Sequence, residues 1–306
     1  MRVAIIHDSF LYLGGAERVS MALLGMFPGA DLYAAFLSGD VAQEIKPKVR
    51  GRIVVSPFNV PFLTEKMASY LKPVIYHWWE TLDLSAYDLI ISSSHAFSSK
   101  SVVVPKKTIH VSYIHSPPRY LYGLSSQSSL FFVLRPFLPY LRRKDVAAAQ
   151  RPDMLVANSK TVQGRIKRWY HRESTVIYPP ARIPRKLPTR RPSYYLCFSH
   201  LLKQKNIDLA IRACNTLQAP LVVVGGGPEE RYLRGIAGPT ITFLGILPDS
   251  KIDSVYSGAI ALLYPSEDED FGIVPVEAMA HGVPVIAYRS GGTTETVIEK
   301  KNRNFF

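Results

Sequence analysis

At 306 residues the chain is long enough for two domains, each able to bury its own core. Apolar residues make up 47% and charged residues 20%, an ordinary globular balance that excludes a largely disordered chain. Lys and Arg number 37 against 24 Asp and Glu, a net charge of +13 that favours anionic partners: nucleic acid, nucleotide phosphates or an anionic membrane face. No nucleic-acid reader module is visible, so no nucleic-acid partner is expected.

The N-terminal run Met1–Asp8 is too short an apolar run for a signal peptide and is shaped like a first parallel strand. No apolar run reaches the eighteen residues that a bilayer crossing needs. The two cysteines, Cys197 and Cys214, fall in predicted core elements and read as reduced thiols, which fits a cytoplasmic location.

Behind the first strand, Ser9 to Ala16 contains the pair Gly14 and Gly15, followed by a helical pattern through Met26. Strand, glycine turn and helix in this order present backbone amides at the carboxyl end of a strand, where a phosphate or sugar binds. A plain tight turn explains the pair equally well, because the G-x-G-x-x-G fingerprint is absent. Runs at 88–94 and 108–114 read as buried strands. The second delivers His115 into Ser116-Pro117-Pro118, at the strand end where α/β folds place ligands. A histidine satisfied by backbone is the alternative there, and it is the reading given to His7, His77, His95, His110 and His281.

The segment 130–143, LFFVLRPFLPYLRR, sets aromatics and leucines against arginines. It reads either as a peripheral contact with an anionic membrane or as a core-facing helix with a solvated cationic side. A strand over 154–157, a helix capped by Asn158 or Ser159 and running to Tyr170, and a strand at 175–177 follow. Residues 178–193 hold five prolines and five cations and read as a semi-rigid linker.

Beyond it, strands at 195–198, 221–224, 240–244, 259–264 and 284–287 alternate with helices at 207–217, 229–234, 250–257, 272–280 and from Thr293. Alternation of this kind implies parallel, doubly wound sheets in both halves. The divisions are 1–178, linker 179–193, and 194–306. Within the second half, Glu269-Asp270-Phe271-Gly272 leads from a strand into a helix that carries Glu277. Amides at that helix start suit an oxyanion, and carboxylates at either end suit sugar hydroxyls. Seven residues separate Glu269, in the loop, from Glu277, on the helix, so two helical turns lie between the sites they could reach. No metal-ligand spacing occurs: the cysteines are seventeen apart, and the acidic 268–270 run is as easily a solvated loop.

These pieces, in order, resemble the retaining nucleotide-sugar glycosyltransferases of the GT-B fold: the Gly14-Gly15-Ala16-Glu17-Arg18 turn, His115-x-Pro117, Ala157-Asn158-Ser159, Val176 to Pro180, the glycine turn at 225–227, E-D-F-G-I-V-P-V-E-A from Glu269, and G-x-P-V-I-A from Gly282. Several segments look most like bacterial GDP-mannose-dependent mannosyltransferases of surface-polysaccharide or O-antigen synthesis. The resemblance implies two Rossmann-like domains facing each other across a cleft. It also implies hexose transfer to a lipid-linked or polysaccharide acceptor without a metal or other cofactor, at the cytoplasmic face of the inner membrane.

By the same resemblance, Gly14 and Gly15 approach phosphate and His115 lies near the donor sugar. Glu269 meets hexose hydroxyls, the amides of Phe271 and Gly272 approach the sugar or phosphate, Glu277 holds the ribose, and Gly227 belongs to the donor turn. A basic pair grips the diphosphate in the family; its lysine is Lys205, and its arginine position holds His200. The family pattern continues beyond Val297 with further helices, so a second domain lacking them is expected from a chain ending at Phe306. His200 and that ending motivate an alternative, a nucleotide- or glycan-binding scaffold. A sugar-nucleotide epimerase of the same architecture is a further one.

Overall fold

The computed structural model describes residues 1–60, 65–96, 98–124, 135–184, 191–298 and 303–305. The chain divides into two compact units, Met1–Pro180 and Ala181–Phe306. The first contains β1 (Val3–Phe10), α1 (Gly15–Met26), β2 (Asp31–Leu37), α2 (Gly39–Ile45), β3 (Ile53–Val55), α3 (Glu65–Tyr70), α4 (Lys72–Glu80) and β4 (Leu89–Ser94). It continues with β5 (Ile109–Ile114), α5 (Leu138–Ala149), β6 (Met154–Ala157), α6 (Lys160–Tyr170) and β7 (Thr175–Val176). The strands form one sheet in the order β3-β2-β1-β4-β5-β6-β7, every neighbouring pair parallel.

A strand covered on both faces needs apolar residues at every position rather than at alternate ones. β1 meets that demand over Val3–Ile6: Ala4 and Ile6 pack with Tyr33, Ile75 and Trp79, whereas Val3 and Ile5 pack with Leu24 and Leu32 on the opposite face. Sequence reading assigned no element between residues 27 and 87, where the structure places β2, α2, β3, α3 and α4. The signals were present but short. β2 is the continuous apolar run DLYAAFL, and α2 opens on Ser38, whose hydroxyl accepts the Val41 N–H at 3.4 Å. Ser159, one of the two caps proposed for α6, accepts the Val162 N–H at 3.0 Å.

α5 turns Leu138, Leu141, Ala148 and Ala149 inward and leaves Tyr140 exposed, with Phe137 exposed just before it. Residues 130–134 of the basic aromatic segment lie outside the described residues. So do 185–190 of the expected linker, whose Arg182 is anchored to Asp253 by a 2.9 Å bond from Nε.

His110 on β5 is buried, its Nε2 2.9 Å from Ser92 Oγ. Burial lowers its pKa to about 4. The unfolded imidazole titrates near 6.5, so between these values the unfolded chain binds more protons, and stability falls as the pH drops through that window. A loss of about 3 kcal/mol is expected from pH 7 to pH 4 from this group. All three tryptophans, Trp78, Trp79 and Trp169, lie in the first unit, so urea titrations followed by tryptophan fluorescence report on it alone. His110→Gln is expected to remove this share of the pH dependence, and an unchanged slope in the variant would show that His110 is not the group responsible.

The second unit contains β8 (Tyr194–Phe198), α7 (Ile207–Leu217), β9 (Leu221–Val224), α8 (Glu230–Ile236), β10 (Ile241–Gly245) and α9 (Asp249–Ser257). After these come β11 (Ala259–Tyr264), α10 (Ile273–Ala280), β12 (Val285–Ala287), α11 (Thr293–Thr296) and β13 (Arg303–Phe305). Its strand order is β10-β9-β8-β11-β12-β13, again wholly parallel. Leu196, Val224, Tyr256 and Leu262 fill one face, and Cys197, Ile211, Cys214 and Val223 fill the other. Both thiols are free, and burial raises their pKa values. Among the described residues no helix is long and apolar enough to cross a membrane.

Candidate functional site

In a doubly wound sheet the crevice for a ligand opens at the carboxyl ends of two adjacent strands whose connections leave in opposite directions. The strand orders locate that point in each unit: between β1 and β4 in the first, and between β8 and β11 in the second. The residues singled out from sequence are placed around these two points.

At the first, α1 begins at Gly15 behind an extended Gly14. The Gly14 N–H donates to Glu17 Oε2 at 2.9 Å, so this amide is occupied from within the helix. A side chain at Gly14 would meet that oxygen at 2.9 Å and the Tyr12 ring at 3.1 Å, which gives the glycine a steric reason beyond any ligand. Gly15 is exposed. Glu17 itself is buried and lies 3.6 Å from His7 Nε2 through its other oxygen. Burial alone would raise its pKa, but the His7 imidazole, with His95 farther off, outweighs burial and holds the carboxyl below its ordinary value.

His7 Nδ1 lies 2.9 Å from Ser20 Oγ and 3.0 Å from Ser93 Oγ, and Ser93 Oγ lies 2.7 Å from His115 Nε2. A buried chain of hydroxyls and imidazoles thus runs from α1 across β1 and β4 to the end of β5. His115 is kept well below its usual pKa by burial first and by the neighbouring His95 and His7 second, so it is a neutral hydrogen-bonding group at pH 7. Asp8 braces the β4 exit: its carboxylate accepts backbone N–H bonds from His95 at 2.7 Å, Ala96 at 2.6 Å and Ser99 at 2.7 Å. His7 and His95, read from sequence as isolated histidines, belong to the same cluster as His115; their rings lie 5.7 Å apart, and 6.4 and 6.0 Å from His115. The strand-end rule that singled out His115 applies equally to His7 and Asp8. The partnership with Ser93, 86 positions away, carried no sequence signal.

At the second point, the β8 exit passes through Ser199, His200 and Leu201 into a 3-10 turn, Lys203–Lys205. The glycine turn after β9 packs directly on this exit. A Cβ on Gly225, whose φ is +126°, would lie 1.9 Å from the Ser199 carbonyl oxygen, and one on Gly227 would lie 2.5 Å from that of Leu201. Close backbone approach therefore accounts for these glycines. His200 is partly buried beside them, and its carbonyl accepts the Leu202 N–H at 2.8 Å.

The β11 exit carries the acidic run. Lys205 Nζ donates to Glu269 Oε1, joining the two strand exits across the switch point. Asn206 Nδ2 donates to the Pro265 carbonyl at 3.3 Å, and the Glu267 N–H to the Gln204 carbonyl at 3.2 Å, so the two loops are also tied through their backbones. Behind Glu269, the Gly292 N–H donates to its carbonyl at 2.7 Å, and a Cβ on Gly291 would lie 2.3 Å from the same oxygen. Burial raises the Tyr264 phenol well above its ordinary range, and the adjacent Glu269 carboxylate adds to the effect.

The spacing between the two glutamates needs correction. α10 starts only at Ile273, after Gly272 turns the chain with φ +81°, so Glu269 lies in the loop and barely more than one helical turn precedes Glu277. Glu269 is in the loop, as read from sequence, and a Cβ on Gly272 would meet Thr293 at 2.8 Å. Phe271 is buried. Glu277 is also buried, its carboxylate accepting the Arg182 N–H and the Tyr256 hydroxyl, each at 3.4 Å. His281 secures the end of α10 through Nδ1, 2.7 Å from the Glu277 carbonyl, and Nε2, 3.1 Å from Asp253 Oδ1. Among the described residues no cluster of His, Cys, Asp and Glu could hold a metal ion.

Two parallel α/β units with a polar cluster at each switch point define the architecture of a GT-B glycosyltransferase. The Glycosyltransferase Family 4 model matches residues 13–185, and the model described as Glycosyl transferases group 1 matches residues 181–306. The chain belongs to this glycosyltransferase family. Among its relatives, the human Alpha-1,3/1,6-mannosyltransferase ALG2 is 28% identical over 183 residues, 47% of this chain and 44% of the relative. The GDP-mannose-dependent alpha-(1-6)-phosphatidylinositol monomannoside mannosyltransferase of Mycolicibacterium smegmatis is 33% identical over 123 residues, 35% of this chain and 32% of the relative. The chain spans less than half the length of these curated relatives.

Of solved structures, Anabaena HepE in complex with UDP and glucose superposes with a TM-score of 0.73 at 18% identity, covering 100% of this chain and 85% of that one. Sucrose-phosphate synthase from Thermosynechococcus elongatus gives 0.75 at 18% identity, covering 100% and 86%. At such identities the likeness speaks to the fold.

Proposed function

We propose that the protein is a retaining hexosyltransferase that moves mannose from GDP-mannose to a lipid-linked or polysaccharide acceptor in cell-surface glycan synthesis. The observation that carries this reading is the meeting of Lys205 and Glu269 at the switch point between β8 and β11. A cation for a diphosphate and a carboxylate for sugar hydroxyls are the two functional groups a nucleotide sugar requires, placed where an open parallel sheet binds ligands. Mannose is favoured by the mannosyltransferases among the relatives, one of them named for GDP-mannose.

Cleavage of a glycosyl phosphate bond leaves charge on the departing diphosphate. In this proposal Lys205 and the α10 N-terminus stabilise that charge, with no cofactor or metal invoked. Glu269 positions the hexose through its hydroxyls, and Glu277 takes the ribose. Retention follows if the acceptor hydroxyl attacks on the leaving-group face and passes its proton to a phosphate oxygen, so no protein nucleophile is assigned. The exposed Phe137 and Tyr140 beside Arg135 and Arg143 form the surface proposed to rest on an anionic cytoplasmic membrane face.

The test is incubation with radiolabelled GDP-mannose and a membrane lipid extract. Label is expected in the lipid fraction with the anomeric configuration of the donor. Binding of GDP without transfer to any lipid or glycan fraction would replace this reading with a nucleotide-binding scaffold, and an isomerised free donor would point to an epimerase.

A further inference from the structure

α9 carries Asp249, Asp253 and Tyr256 on one face, and all three reach the surroundings of Glu277. The first two clamp Arg182: its Nε donates to Asp253 Oδ1 at 2.9 Å, and its Nη1 lies 3.5 Å from Asp249 Oδ2. With that side chain held, the Arg182 backbone N–H reaches Glu277 Oε1 at 3.4 Å, and the Tyr256 hydroxyl reaches Oε2 at the same distance. The Asp253 oxygen that accepts from Arg182 also lies 3.1 Å from His281 Nε2. His281 is 2% exposed and packs on the Tyr256 ring at 4.5 Å. Its Nδ1 donates to the Glu277 carbonyl at 2.7 Å, beside its own backbone N–H at 3.1 Å.

One carboxylate oxygen thus acts on Glu277 by two routes, through Arg182 onto the side chain and through His281 onto the backbone near the end of α10. The His281 hydrogen bond, opposed by partial burial and aided by Arg182, holds the Asp253 carboxyl below its ordinary range, so it is an ionised acceptor at neutral pH.

We propose that Asp253, acting through Arg182 and His281, is a positioning residue for the nucleotide end of the donor: it aims the Glu277 carboxylate at the two ribose hydroxyls. The inference rests on the reading of Glu277 as the ribose carboxylate. A misdirected hydrogen bond is weak, whereas the cost of covering a carboxylate is incurred in full, so discrimination for hydroxyls depends on how well the acceptor is aimed. Removal of Asp253 leaves the Glu277 carboxylate in place but less well directed. The expected loss is therefore specific to the ribose hydroxyls.

Calorimetric titrations with GDP and with dideoxy-GDP, which lacks both ribose hydroxyls, separate aiming from a general structural role. The unaltered protein is expected to bind GDP about tenfold or more tightly than the analogue, the scale of hydrogen bonds to a charged group. Asp253→Ala is expected to cut this ratio to about threefold or less by weakening GDP, with the analogue unchanged within about twofold. Arg182→Ala, which keeps the backbone N–H and loses its anchor, is expected to act in the same direction by less. Asp253→Asn keeps an acceptor and is expected to recover part of the ratio, and Glu277→Gln sets the value reached without the ribose carboxylate. Because the ribose is remote from the breaking bond, KM for GDP-mannose is expected to rise in Asp253→Ala with little change in kcat.

A ratio that survives in Asp253→Ala, or equal weakening of both ligands, overturns the positioning role and leaves the nucleotide-sugar reading intact. Circular dichroism establishes that each variant is folded, and if Asp253→Ala is not, Arg182→Ala and Asp253→Asn decide by the same ratio. Equal binding of GDP and dideoxy-GDP by the unaltered protein refutes Glu277 as the ribose carboxylate, and the inference falls with it. Failure of the unaltered protein to bind GDP, UDP or ADP refutes the nucleotide-sugar reading itself.

Discussion

Asp145→Ala is expected to destabilise the first unit by about 3–5 kcal/mol, the scale of breaking a buried ion pair by removing one partner. Asp145 on α5 is fully buried. It accepts from Lys100 Nζ at 2.5 Å, Ser98 Oγ at 3.0 Å, Tyr76 hydroxyl at 3.3 Å, Tyr122 hydroxyl at 3.0 Å and Tyr170 hydroxyl at 2.8 Å. One carboxylate therefore joins α4, the turn after β4, the segment after β5, α5 and α6. Lys100 is 1% exposed, and its ammonium also faces the Tyr170 ring at 5.2 Å. Alanine would strand that ammonium and remove the shared acceptor of three phenols.

Lys100→Met alone is expected to cost a similar amount, because it leaves the carboxylate buried without its cation. The double variant Asp145→Leu with Lys100→Met is expected to recover part of the loss, since both charges are then gone and only hydroxyls lack partners. Urea unfolding followed by tryptophan fluorescence isolates the first unit. A loss below about 1 kcal/mol in Asp145→Ala would mean that water or repacking compensates the ammonium, and the cluster would not be a stability determinant.

Lys205→Ala is expected to lower kcat with GDP-mannose by about a hundredfold or more, while KM changes less. The reason lies in when the charge develops: the ground-state donor already carries its diphosphate charge, but the leaving group gains more as the glycosyl bond breaks, so a cation placed there acts mainly in the transition state. Lys205→Arg preserves the charge and is expected to retain more turnover than alanine. Steady-state kinetics of the three proteins decides the matter. Turnover unchanged in Lys205→Ala would remove Lys205 from the chemistry and leave its bond to Glu269 as a structural tie between the β8 and β11 exits.

The readability of this chain differs sharply between its halves. In the second unit, strands and helices read from sequence agree with the structure to within a residue or two, because each apolar run is bounded by Gly, Pro or a capping residue and alternates regularly with helix. In the first, residues 27–87 went unread. β3 is only three residues long, α3 and α4 abut across Leu71, and Pro73 suggests a break where it instead sits in the first turn of α4. Pattern arguments need a window longer than these pieces provide.

By itself the sequence established the alternation of strand and helix, the parallel sheets, the division into two halves, and the residue types at the strand exits. All of these follow from short-range rules of periodicity, capping and turn chemistry. Only the tertiary structure decided the strand order, and with it that β8 lies beside β11 and β1 beside β4. From that order come the Lys205–Glu269 pair across 64 positions, the Ser93 bridge between His7 and His115, and the five-fold use of Asp145. Such partners are set by which strands share an edge, a choice made by burial of whole faces rather than by any local pattern. The helix carrying Glu277 starts only after Gly272, whose φ is +81° and whose missing Cβ leaves room for Thr293 on α11, so about one helical turn rather than two precedes Glu277.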